Sequence, residues 1–170
     1  MGADSAGVNV DTFDIRIRDD SKVFAIGQDN TQMLLGFTSS FRMGQLLRFS
    51  LKVPTQPKGI DNYQYLCTYF IDSVRTCLSN GGYTRIECNQ EVGGTFLLGF
   101  NGSIYTIDQD FQVGISNPNV DAVGSGSYYA LGSLYTTQKI KDPQKRIKIA
   151  LQAASTYNAG VRPPFRIMSL

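Results

Sequence analysis

Val120-Asp-Ala-Val-Gly124-Ser125-Gly126-Ser-Tyr-Tyr-Ala130-Leu-Gly-Ser-Leu134 decides how the rest of the chain is read. A short apolar run ends in Gly124-Ser125-Gly126, and an amphipathic helix is predicted to begin directly afterwards. Two glycines at such a turn carry no Cβ, so another backbone can come close. The first turn of the helix leaves N–H groups unpaired and directs partial positive charge at whatever the turn faces. Ser125 then holds a hydroxyl at the mouth of that site. The turn reads as the floor of an active site, or of an inactive relic of one. Ser125 is also a candidate helix N-cap, a role compatible with the first. The turn is not a phosphate loop: no Lys-Ser or Lys-Thr follows, and Tyr129 stands where G-x-G-x-x-G requires glycine. Nor is it a G-x-S-x-G elbow, because Val123 and Ser127 occupy the glycine positions around Ser125.

Outward from this turn, 170 residues suit one domain spanning 1–170 with a substantial core. The chain is 42% hydrophobic and 18% charged, the composition of an ordinary globular protein. Its net charge of +2 supplies no electrostatic reason for a nucleic-acid or anionic-membrane partner. No apolar run reaches membrane-spanning length, and Met1-Gly2-Ala3-Asp4 lacks the basic flank and apolar stretch of a signal peptide. Cys67, Cys77 and Cys88 form no C-x-x-C pair and read as reduced, buried thiols of a cytoplasmic protein. The chain has no histidine. That excludes Ser-His-Asp and Cys-His catalysis as usually built and removes the commonest zinc ligand, so neither metal nor cofactor is expected. A base for any hydrolysis must be a lysine, a carboxylate or a terminal amine.

Phe13, Ile15 and Ile17 alternate with charged residues, the pattern of a strand with one wet face. Strands follow at Lys22–Ile26 and at Met33–Phe37, whose unbroken apolar run suits a central strand covered on both sides. Thr38-Ser39-Ser40 offers N-caps for a helix to about Leu51, and Asp61 or Asn62 caps a second, stopped by Asn80-Gly81-Gly82. Thr95–Phe100 and Ile104–Ile107 flank Asn101-Gly102, the strongest hairpin signal present, with a further strand at Phe111–Ile115. The helix after the Gly-Ser-Gly turn runs to about Gln138. Asp142-Pro143 opens another, buried along Ile147, Ala150, Leu151 and Ala154 and ended by Gly160. Lys139, Lys141, Lys145, Arg146 and Lys148 read as a solvated face, and Phe165–Met168 as a last strand. Strands, two helices, strands, two helices and a strand make an α+β fold of two stacked sheets between two helical layers.

Several segments carry a resemblance to one family. They are Gly2-Ala3-Asp4-Ser5, Lys22-Val23-Phe24, Leu35-Gly36-Phe37-Thr38-Ser39-Ser40 before a helix, Leu97–Gly102, and Ala122-Val-Gly-Ser-Gly-Ser-Tyr-Tyr-Ala-Leu-Gly132. In this order, over essentially the whole chain, they resemble proteasome beta-type subunits, and the bacterial HslV-type protease more than the eukaryotic subunits. The resemblance implies an αββα N-terminal-nucleophile hydrolase in which a terminal threonine attacks the peptide carbonyl and its own amine, through water, acts as base. Asp4 matches the aspartate that orients the catalytic lysine, and Lys22 matches that lysine, whose charge lowers the proton affinity of nucleophile and amine. Ser125 matches the serine relay beside the amine, and the backbone N–H near Ser39 the oxyanion donor. Read without the family, Asp4 is a turn cap and Lys22 a solvated strand end.

The family's threonine and its strand would precede Gly2, and a glycine pair would stand at Ser39-Ser40. The loop from Asp4 to Lys22 is slightly long, and Thr156 and Ala159 fall where eukaryotic and archaeal subunits carry an acid and a serine, although the HslV type also lacks that acid. The expectation is a threonine-type endopeptidase subunit of a stacked-ring homo-oligomer, acting on polypeptide and fed by an ATP-dependent unfoldase. The alternatives are a non-catalytic ring subunit and a small-amide amidohydrolase of the same fold.

Overall fold

The apolar run at 33–37 lies in the middle of a five-stranded antiparallel sheet. The computed structural model describes residues 1–9 and 11–170. In chain order the first strands are β1 (Gly2–Ala3), β2 (Ala6–Val8), β3 (Ile15–Ile17), β4 (Val23–Ile26) and β5 (Met33–Phe37). Helix α1 (Phe41–Phe49) follows, and α2 (Asn62–Tyr65) continues through a π-helical stretch, Leu66–Phe70, into α3 (Ile71–Asn80). Next come β6 (Arg85–Glu87), β7 (Gln90–Val92), β8 (Phe96–Phe100), β9 (Ser103–Ile107) and β10 (Val113–Ile115). Helices α4 (Ser127–Thr136) and α5 (Pro143–Tyr157) and strand β11 (Arg166–Ile167) complete the order.

The large sheet runs β10-β9-β8-β5-β4. Period-two alternation sends Met33 and Leu35 of β5, and Phe96, Leu98 and Phe100 of β8, to one face. There they meet Met43, Leu47, Phe70, Val74 and Leu78 of the α1–α3 layer, and all of these side chains are shut off from solvent. Each such burial contributes roughly 1.5–3 kcal/mol, which makes this face the main source of stability. The opposite face carries Leu34, Gly36, Leu97 and Gly99, smaller side chains that look toward α4 and α5. Between them stands the pair β1–β11, with Gly2 against Ile147 and Leu151 of α5, and the Met1 thioether over Gly36. The order of layers is therefore helix, sheet, sheet, helix, with the second sheet built from two short strands.

Local chemistry explains most boundaries. Ser40 Oγ accepts from Arg42 N–H, Asp61 Oδ1 from Gln64 N–H, and Asp142 Oδ1 from the N–H groups of Gln144 and Lys145 behind Pro143. Asn101 and Gly102 both take positive φ, 46° and 77°, as a two-residue hairpin loop demands. Other expectations are corrected. Phe13 lies in a turn at φ 59° and is 80% exposed, and both isoleucines of β3 are exposed, because β3 pairs only with β2 and no layer covers it. Cys67 and Cys88 are exposed, the first on the outer side of the π-helical stretch and the second in the β6–β7 turn; only Cys77 is buried, and burial pushes its thiol up. The β6–β7 hairpin had no counterpart in the sequence reading.

Candidate functional site

A cavity of about 590 Å³ separates the second face of the large sheet from α4 and α5. Its walls are mostly apolar, with Leu34 and Leu97 opposite Leu134, Ile147 and Leu151. Asp4, Lys22, Thr38 and Ser125 bring polar atoms to it.

Asp4 follows directly on β1 and Lys22 directly precedes β4, so two strand ends carry these side chains to one place. Lys22 Nζ donates to Asp4 Oδ1 at 2.7 Å, and the two side chains are only 14% and 13% exposed. A pair this far from water persists only when its remaining valences are met. Asp4 Oδ2 accepts from Ala6 N–H at 2.8 Å and from Arg162 N–H at 3.2 Å. The turn-cap role of Asp4 is thus real, and it coexists with the ion pair. The Lys22 ammonium also lies 5.6 Å from the ring centre of Phe41, which Arg18 covers at 3.9 Å.

Ser125 borders the same cavity, but it is not the cap of α4: that position is Gly126, with no side-chain cap. Gly126 sits at the cap because a Cβ there would stand 2.6 Å from Val161 Cγ2. The Ser125 hydroxyl instead donates to Asn158 Oδ1 at 3.2 Å, and Asn158 Nδ2 donates to the Ser125 carbonyl at 2.7 Å. The segment 158–162 then runs from this serine to the ion pair, with Arg162 N–H on Asp4 and the Arg162 guanidinium on the carbonyls of Ser155, Asn158 and Val161 at the end of α5.

Ser39 occupies the left-handed region at φ 66°, a conformation that glycine adopts without strain, and its hydroxyl accepts from Thr95 N–H at 3.1 Å. Its side chain is turned to the start of β8, while its neighbour Thr38 lines the cavity beside Gly124, itself at φ 100°. Asp4, Lys22 and Ser125 therefore share the cavity, whereas Ser39 is not among the residues that line it. Sequence reasoning missed Asn158 and placed Arg146 in solvent. Arg146 turns inward, donating from Nη2 to Leu134 O at 3.0 Å, with its Nε buried and without a partner among the described residues. Asn158 closes α5 just ahead of Ala159-Gly160, where a polar residue reads as a helix end and nothing more. Among the described residues there is no cluster of three or more His, Cys, Asp or Glu side chains that could hold a metal ion, and no helix long and apolar enough to cross a membrane.

No family model matches the sequence, and no curated protein matches it. Solved structures do match. One is BPH of Thiobacillus denitrificans, determined in complex with epoxomicin: 17% identity, TM-score 0.71, covering 97% of this chain and 88% of that one. HslV from Trypanosoma brucei matches at 14% identity and TM-score 0.62, again over 97% and 88%. The Anbu (Gly-1) mutant from Hyphomicrobium sp. strain MC1 matches at 15% identity and TM-score 0.64, over 96% of this chain and 73% of that one. At such identities the likeness is one of fold. The chain has the fold of the proteasome-like subunits represented by HslV, BPH and Anbu.

Proposed function

We propose that this chain is a subunit of a self-compartmentalising peptidase of the HslV type, with the cavity between its two sheets as the active site. The observation that carries the reading is the shielded Asp4–Lys22 pair on the same cavity wall system as Ser125. A fixed cation beside a hydroxyl and an amine lowers the proton affinity of both, which a chain without histidine needs. The nucleophile in this reading is the amino-terminal threonine that the resemblance implies. Its hydroxyl oxygen attacks the peptide carbonyl while its own amine takes the hydroxyl proton. The backbone N–H near Ser39, held by the left-handed turn, faces the developing oxyanion. Cytoplasmic polypeptide is the substrate, delivered by an ATP-driven unfoldase, and a single domain spans 1–170.

The assembly is a ring of identical subunits. Its support is exposed apolar surface: Phe13, Phe49, Ile86, Tyr128, Tyr135 and Tyr157 are each at least 69% exposed. A non-catalytic ring subunit is the second reading, favoured by the serine in place of glycine at position 39.

The test is hydrolysis of fluorogenic peptides by the full-length protein, with assembly followed by native mass spectrometry. Lys22→Ala is expected to abolish turnover and leave the assembly intact. Retained turnover removes Lys22 from the site, and intact rings without turnover in the unaltered protein select the second reading. Epoxomicin, seen bound to the Thiobacillus protein, is the matching probe, expected to bind the unaltered protein.

A further inference from the structure

The guanidinium of Arg146 is a fork of N–H donors with no acceptor of its own. Nη2 reaches the carbonyl of Leu134 at 3.0 Å, while Nε is shut off from solvent without a partner among the described residues. Among those residues Arg146 also forms no ion pair. A cation drawn back from water and only partly satisfied calls for an anion. The cavity it borders has none to spare. Asp4 is held by Lys22 and two backbone N–H groups. Asp121 accepts from the hydroxyls of Thr106 and Ser116 and from Ala122 N–H. Asp142 is engaged as the N-cap of α5. Lys139, Lys141, Lys145 and Lys148, around the same α4–α5 corner, are exposed and form no ion pair among the described residues, so the field there is positive.

The place of this cation in the cavity is set by α5. Arg146, Ala150 and Ala154 lie in one row of the helix, at i, i+4 and i+8, and all border the cavity. Ala154 marks the Ser125 end, since a Cβ added at Gly126 would stand 3.1 Å from its own Cβ. The helical rise from 146 to 154 puts Arg146 about 12 Å from that end. An extended peptide covers this distance in about three or four residues. Leu97, Ile147 and Leu151 keep the wall apolar, so nothing there competes for a charged group.

We propose that Arg146 anchors a carboxylate carried by an extended peptide in this cavity, about three or four residues from the part of the peptide that lies at Ser125. The carboxylate is an acidic side chain or the peptide's own C-terminus, and both present the planar pair of oxygens that fits a guanidinium fork. The proposal rests on the proposed function only in taking the bond to be cleaved to lie at the Ser125 end; the carboxylate site itself needs no turnover. Arg146 thereby selects acidic over neutral peptides.

The experiment uses the full-length protein and fluorescein-labelled peptides of alanine and leucine. One carries a glutamate and a C-terminal amide, one has glutamine in its place, and one has glutamine and a free C-terminal carboxylate. Initial fluorescence anisotropy reads the affinity, and mass spectrometry reads where cleavage falls. Either carboxylate is expected to bind about ten-fold tighter than the neutral peptide. Cleavage, where it occurs, is expected about three or four residues from the carboxylate. A gain for the glutamate peptide alone assigns the site to side chains, and a gain for the free acid alone assigns it to C-termini. Arg146→Met suits the apolar walls and gives up only the bond to Leu134 O, and it is expected to bring all three affinities to that of the neutral peptide. Arg146→Lys keeps a charge without the fork, is expected to retain only part of the preference, and serves if Arg146→Met does not fold. Equal affinities or no binding in the unaltered protein overturn the proposal. So does a preference that survives Arg146→Met, or is undiminished in Arg146→Lys, which would place the carboxylate on the exposed lysines. Carboxylate preference without turnover in the unaltered protein removes the peptidase reading and leaves the anchor; turnover without the preference removes the anchor alone.

Discussion

The two faces of the large sheet are built to different standards. Toward α1 and α3, Met33, Leu35, Phe96 and Leu98 interlock with Met43, Leu47, Phe70 and Leu78 and reach zero exposure. Toward α4 and α5, the same strands present Leu34, Gly36, Leu97 and Gly99 to a cavity of about 590 Å³. A packed core resists change because every atom has neighbours. A site must keep room for a substrate and for groups that move, so it is drawn from the face with less packing. The polar groups divide in the same way. The Asp4–Lys22 pair and Ser125 border the open face, whereas the closed face admits Tyr65, fully buried, with its hydroxyl donating to Pro54 O at 2.6 Å.

The contrast can be broken most strongly by matched truncations. Phe96→Ala is expected to cost about 3–5 kcal/mol and Leu98→Ala about 2–5 kcal/mol, because the closed face cannot collapse onto the space left. Leu97→Ala, one position along on the other face and half-buried, is expected to cost less than about 1.5 kcal/mol. Denaturant unfolding reads all three, and equal losses at 97 and 98 would show that the second face is as tightly packed as the first.

The ion pair gives the next largest effect and an asymmetry within the open face. Asp4→Ala removes the partner of Lys22 and the acceptor of two backbone N–H groups, at a cost on the order of 3 kcal/mol. Lys22→Ala leaves Asp4 both of those donors and costs on the order of 1 kcal/mol, while turnover is lost. Comparable losses of stability for the two would mean that the backbone bonds to Asp4 contribute little.

On the closed face, burial pushes the Tyr65 phenol up to about 12. An unfolded tyrosine releases its proton near pH 10. Between these values the unfolded chain binds fewer protons, so stability is whole below pH 10 and falls as pH rises toward 12. Tyr65→Phe is expected to flatten that alkaline slope in unfolding curves taken at successive pH values, and an unaltered slope assigns it to another group. The smallest effect is expected at Gly132, inside α4, where an added Cβ meets nothing within 4 Å. Gly132→Ala should raise stability by about 0.5–1 kcal/mol, a gain unavailable at Gly44, whose Cβ would collide with Phe37.

The elements most legible in the sequence were those with local causes. Asn101-Gly102 can satisfy its positive φ values only as a tight hairpin, and Pro143 behind Asp142 can only begin a helix. The all-apolar run at 33–37 likewise required cover on both faces. The proximity of Asp4 to Lys22 is not local: 18 residues separate them, and it was reached only through a family resemblance. What stayed hidden depended on direction. Arg146 lies one step from the buried stripe of α5, and whether its long side chain turns in or out is decided by the cavity beside it. Asn158 reads as a helix end because nothing in the sequence places Ser125, 33 positions earlier, against it. Cys67 lies one position off the buried row of Leu66, Phe70, Val74 and Leu78, so the helical period accounts for its exposure and the general tendency of thiols to be buried misled.

The most direct measurement is a crystal structure of the full-length protein soaked with epoxomicin. The account predicts density for the inhibitor in the cavity, within hydrogen-bonding reach of the group that Lys22 and Ser125 face. Inhibitor bound elsewhere, or a cavity closed by side chains packed as tightly as those around Leu98, would contradict it.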